Sequence, residues 1–142
     1  MRRTATLFRA AALALIAAGC SDSNAPKDLT YGRYGLVSVD GQTLPVTLVD
    51  DPTLKLTLTE GALTLNANST FTQSATLATA TNGFPAAPVQ LSCGGTFTRS
   101  GSTFTLTGNE TARCSGVTAT GVLDGSTFTV TDDQGETLVF KR

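Results

Sequence analysis

The sequence contains no histidine, no tryptophan and a single methionine. Without histidine it lacks the commonest general base near neutral pH and the commonest metal ligand. Charge is also sparse, at 15% of 142 residues. Basic residues are the scarcer sign. Of ten Lys and Arg, three (Arg2, Arg3 and Arg9) lie at the extreme amino terminus; beyond residue 19, seven remain against eleven Asp and Glu, a net charge of −4. That deficit argues against a phosphate-binding face, and so against nucleic acid as a partner. No window beyond the first 20 residues carries a convincing helical period.

What fills the chain instead is Thr, Gly, Ala, Val and Leu. Thr and Val suit pleated strands, and Gly, Asn and Asp suit the turns between them. The tetrapeptide Ser-Thr-Phe-Thr occurs at residues 69–72, 102–105 and 126–129, with a near copy, Gly-Thr-Phe-Thr, at 95–98. A catalytic motif would not normally recur in this way. Placed in phase with its surroundings, each copy opens a strand just after a turn. Phe71, Phe97, Phe104 and Phe128 then point inward and the flanking Thr outward.

The amino terminus reads MRRTATLFRAAALALIAAGC. A basic start is followed by an apolar run, Ala10–Ala18, too short to span a bilayer stably. Small residues then lead to Cys20. This pattern resembles a bacterial lipoprotein signal, in which the Cys thiol is acylated and the signal is cut just before it. Ala17 stands where that pattern prefers Leu. The resemblance implies residues 1–19 as a signal peptide, 20–30 as a lipidated Cys and flexible tether, and 31–142 as the folded domain. It implies a membrane partner through the lipid on Cys20, since two or three acyl chains anchor stably where one does not. Ser21 after the Cys, in place of Asp, favours the outer membrane over the inner. The expected location is the cell envelope, facing the periplasm.

From Tyr31 onward, short alternating runs are separated by turns such as Asp40-Gly41, Glu60-Gly61 and Asp124-Gly125. Eight to ten short antiparallel strands are expected, in an all-β, up-and-down meander closing into a small barrel, with a rolled sandwich as the other closure. The segments YGLVSVDGQTLPVTL, GALTLNANSTFT and LDGSTFTVTDDQGETLVFKR resemble small bacterial lipocalin-like lipoproteins of unassigned function. Those motifs describe turns and strands, so the resemblance implies a fold and carries no functional residue.

Cys93 and Cys114 remain in the domain. In an oxidising compartment such a pair is expected to form a disulfide, stabilising by about 3 kcal/mol through loop closure. Strands flanking a common neighbour stand too far apart for a cystine, so the segment GNETARC is expected to cross a strand end. Two free thiols, or a thiol pair on metal, is the other reading, although no further His or Cys is near.

Other constellations are weaker. Asp50-Asp51 and Asp132–Glu136 pair carboxylates but read as exposed turns without calcium-loop spacing. No Ser has a His partner, and Lys27, Lys55 and Lys141 occupy a tether, a strand's polar face and the chain's end. No metal, cofactor or catalytic residue is assigned, and the protein is expected not to be an enzyme. The loop TNGFPAAPV is uncharged. Phe84, Pro85 and Pro88 are candidate contacts there, as a lid or partner patch at the barrel rim. Alternatively Phe84 folds back to plug the core, which is the preferred expectation.

Two functions follow. One is a membrane-anchored binding module that holds a small apolar or amphipathic molecule in the barrel. The other is a structural or interaction lipoprotein with a filled barrel, an envelope-assembly factor or an inhibitor of a periplasmic enzyme, whose partner is a periplasmic protein. The inward set runs Leu54, Leu56, Leu58, Leu63, Leu65, Phe71, Leu77, Leu91, Phe97, Phe104, Leu106, Phe128, Leu138 and Phe140. It is bulky enough to fill a small barrel, which weighs against a ligand cavity.

Overall fold

The computed structural model of the chain describes residues 30–109 and 118–142. It is all-β. Eleven strands follow in order: β1 (Gly32–Val39), β2 (Gln42–Thr43), β3 (Val46–Asp50), β4 (Leu54–Leu65), β5 (Thr70–Thr81), β6 (Phe84–Pro85), β7 (Val89–Ser100), β8 (Thr103–Gly108), β9 (Thr118–Asp124), β10 (Thr127–Asp132) and β11 (Thr137–Lys141). Eight of them close an antiparallel ring, β1-β11-β10-β9-β8-β7-β5-β4, which β4 completes by pairing with β1. β2, β3 and β6 attach at its margins.

The closed barrel is as expected, but one strand boundary is not. Glu60-Gly61 is no turn: β4 runs unbroken from Leu54 to Leu65. Its register against β5 slips between Leu58 and Glu60. The inward leucines have even numbers before that point and odd numbers after it. An extra residue is what lets Leu58 and Leu63 face the same way, because one inserted residue reverses the side-chain alternation. β1 does the same between Leu36 and Ser38.

Threonine covers the outer wall. Thr98, Thr105, Thr120, Thr131 and Thr137 stand opposite one another across five strands. A transmembrane barrel carries an apolar band there and a polar lumen; this wall has the reverse polarity. Among the described residues, no helix is long and apolar enough to cross a membrane.

The aromatic anchors gather at one end, where the β4–β5, β7–β8 and β9–β10 turns lie. Phe104 and Phe128 meet edge to face with ring centroids 5.1 Å apart. Phe97 lies 5.5 Å from Phe104 and Tyr34 5.8 Å from Phe128. Each such pair adds about 1 kcal/mol beyond its buried area. Arg99 stacks over Phe104 and Arg142 over Tyr34, both at 5.4 Å. The Arg142 guanidinium also donates to the Tyr31 carbonyl. This end of the barrel is sealed.

Candidate functional site

The other half of the barrel is only partly filled: Val39, Val46 and Leu58 form a second buried cluster there, and space remains beside it. A recess of about 620 Å³ lies within this half, inside the range of about 300–1,000 Å³ usual for small-molecule sites. One wall comes from β5 and β7, with Gln73, Ala75, Leu91 and Cys93. The facing wall comes from β9, β10 and β11, with Ala119, Val130 and Leu138. These positions share the inward register of the aromatic anchors, through the pairs Gln73–Cys93, Ala75–Leu91 and Phe71–Gly95. A void of about 40 Å³ continues beneath, against Leu63, Phe71 and Leu106.

The expectation of a filled barrel is therefore corrected for this half. Several residues counted as filling lie beyond the ring. β4, β5 and β7 are each twelve residues long, against five to seven for β8 to β11. They project past the mouth as an open sheet, where Leu54 is 41% exposed and Val89, on β7, 43%. Within the ring, small side chains at Ala75, Ala119 and Gly108 leave the space.

Acids border the mouth. Asp132 and Glu136 line the recess from the β10–β11 turn, and among the described residues no Lys or Arg lines it. Asp132 Oδ1 accepts the Gln134 and Glu136 backbone N–H groups at 2.9 and 2.8 Å, which holds the turn. Asp40, in the β1–β2 turn, accepts the Thr137 N–H at 2.8 Å and ties the two turns together. The Glu136 carboxylate has no hydrogen-bond or ion-pair partner among the described residues. Desolvation raises its pKa above the ordinary glutamate value, and repulsion from Asp132 and Asp40 raises it further. Gln73 likewise presents an amide to the recess with no partner among the described residues.

A larger recess, about 840 Å³, adjoins this one and shares Ser74, Ala75, Leu91 and Ser92. Arg33, Thr59, Glu60, Thr76 and Gln90 help line it. Thr76 and Gln90 pair on the outward register of β5 and β7, so it is a polar cleft in the wall and less suited to an apolar ligand.

Of the residues singled out in the sequence, Cys93 is at the site. It stands on the recess wall and is disulfide-bonded. Cys20 and Cys114 lie outside the described residues, as do the signal, all but the last residue of the tether segment, and most of GNETARC. Phe84 does not plug the core. It is 77% exposed, on a short hairpin in which Asn82-Gly83 takes positive φ at both positions and Phe84 pairs with Thr81 of β5. Pro85 and Pro88 are exposed beside it. Asp50 ends β3 and Asp51 opens the turn to β4, in which the Asp51 carboxylate accepts the Thr53 N–H and hydroxyl at 2.9 and 2.6 Å. No three His, Cys, Asp or Glu side chains converge as a metal site among the described residues.

Gln73, Ala75 and Ala119 were not singled out in the sequence, and Glu136 was read there as part of an exposed turn. The one usable signal was the alternation of small residues in GVTATGVL, which marks an inward face with too little bulk to fill a barrel. Fold and recess together define an eight-stranded β-barrel with a ligand-sized cavity, compatible with a lipocalin-like fold. No family model and no curated protein matches the chain.

Proposed function

We propose that the protein is a membrane-anchored periplasmic lipoprotein, on the outer membrane rather than the inner. In this reading its barrel is a non-enzymatic binding module for a small apolar or amphipathic ligand. One observation carries the binding reading: the recess of about 620 Å³ between β5–β7 and β9–β11, walled by Ala75, Leu91, Ala119, Val130 and Leu138. An apolar cavity of that size excludes little by shape and rewards burial of apolar surface by about 25 cal/mol per Å². The anchor rests on the residues around Cys20. The disulfide of Cys93 is assigned to Cys114, the other cysteine of the domain.

Native mass spectrometry of the protein purified from its own host tests the module. The wild type should carry a reproducible apolar adduct. Ala75→Phe and Ala119→Phe, each filling the recess, should lose it while keeping the wild-type melting temperature. A wild type without adduct, or an adduct that persists in both variants, overturns the reading.

The alternative, an interaction lipoprotein, is favoured by a different observation. Phe84, Pro85 and Pro88 form an exposed, uncharged tip, of the kind that marks a protein contact.

A further inference from the structure

The lining of the recess says more than that its occupant is apolar. Counting around the ring of eight strands, β10 stands diametrically opposite β5, and β11 opposite β7. The mouth therefore has two unlike rims. On one side, the β10–β11 turn presents Asp132 and Glu136, with Asp40 held beside it by the Thr137 N–H. On the other side, the projecting sheet continues the apolar wall outward. Leu77 pairs with Val89 one step beyond Ala75–Leu91. Thr81, on the same face of β5, stands between Leu54 and Phe84. The apolar side chains of that face thus lead away from the recess, and three of them (Leu54, Phe84 and Val89) remain exposed.

We infer that the recess takes a cationic amphiphile, whose apolar body lies against the β5–β7 wall and whose protonated amine meets the Glu136 carboxylate at the opposite rim. This rests on the binding reading proposed above and narrows its ligand class. Three observations converge on it. The recess is large and apolar. Among the described residues its charged lining groups are the acids Asp132 and Glu136, and none is Lys or Arg. Of these acids, Asp132 has one oxygen committed to backbone N–H groups, whereas both oxygens of Glu136 are uncommitted among the described residues. A fatty acid or other anionic amphiphile of the same shape would bring its charge against two carboxylates. A neutral one would leave the Glu136 carboxylate unpaired as the site loses water.

Calorimetric titration of the mature protein with octylammonium, octanol and octanoate at neutral pH tests this directly. The three probes share a chain and differ in head-group charge. Octylammonium should bind about fivefold more tightly than octanol, the scale of one partly exposed ion pair, and octanoate most weakly. Glu136→Gln should abolish the difference between octylammonium and octanol, and Glu136→Lys should invert the order. Equal binding of all three probes, or a cation preference that survives Glu136→Gln, overturns the inference while leaving an apolar binding module standing. Failure of all three to bind overturns both.

Discussion

At Gly121 the barrel has no room for a methyl group. A Cβ there would run into the Phe128 ring and come within 3.2 Å of Leu106, and the position is buried between the aromatic anchors. Gly121→Ala should therefore destabilise the fold by about 1–3 kcal/mol, the usual cost of overpacking a core. Gly35 is the control: its added Cβ would meet only the Lys141 carbonyl, at 3.8 Å. Gly35→Ala should be neutral or slightly stabilising, because it reduces the freedom of the unfolded chain. Urea midpoints of the two variants check the contrast. Gly121 stands in a run of small residues, GVTATGVL, and its partner Phe128 in one of the Ser-Thr-Phe-Thr repeats. The inward aim of those four Phe was legible because period two is a local property. That Gly121 makes way for one of them was not, since it depends on which strands become neighbours.

The β10–β11 turn concentrates negative charge, and its cost depends on pH. Glu136 has a raised folded-state pKa, first from desolvation and then from Asp132 and Asp40; Asp133 adds a fourth carboxylate to the same stretch. Between the unfolded and the folded pKa, the folded protein binds more protons than the unfolded chain. Stability attributable to this group therefore falls as pH rises through that window, and stays lower above it. Glu136→Gln removes the penalty. The variant should be more stable than wild type at neutral pH and equal to it below the carboxylate range, as read from urea midpoints at the two pH values. An equal gain at both would assign the effect to packing. In the sequence the same five residues looked like an ordinary exposed turn. Their place at a cavity mouth comes from strands far away in the chain. A comparable gap affected β4, where Glu60-Gly61 has the composition of a turn but serves as a bulge. The parity of the leucines on either side was the cue, as even-numbered and odd-numbered sets can share a face only across an inserted residue.

For the molecule as a whole, strand content and pairing sense were legible, because apolar residues alternate with Thr along nearly every strand; that alternation suits a barrel and a sandwich alike, so closure rests on the β1–β4 pairing. The partly filled half was not legible. Counting inward Leu and Phe assumes that every strand ends where the ring ends, and β4, β5 and β7 overshoot it. Leu54 and Val89 thus belong to an awning beyond the mouth. The two-residue β6 was missed for a related reason: Asn82-Gly83 is a strong hairpin signal, but the prolines that follow suggested a loop. The proposed anchor makes a prediction at this scale. Cys20→Ala should move the protein from the membrane to the soluble fraction of the envelope, checked by fractionation. Unchanged membrane retention would refute lipid attachment at Cys20.

The joint between β1 and β11 also sets a clock. Leu36 pairs with Phe140 and Val39 with Leu138, so the first and last strands in the element order are neighbours in the ring. Until β11 has emerged, β1 and β10 each keep a bare edge, and Tyr34 and Phe128 lack the wall that Phe140 completes. Hairpins such as β7–β8 and β9–β10 can form as the chain appears, but the ring cannot. Assembly must then be a late, cooperative event dominated by contacts distant in sequence, which slows folding. It also leaves unpaired strand edges open to aggregation in the interval. A chain released before residue 137 would present those edges for good, so the five residues of β11 decide whether the strands made before them become a barrel.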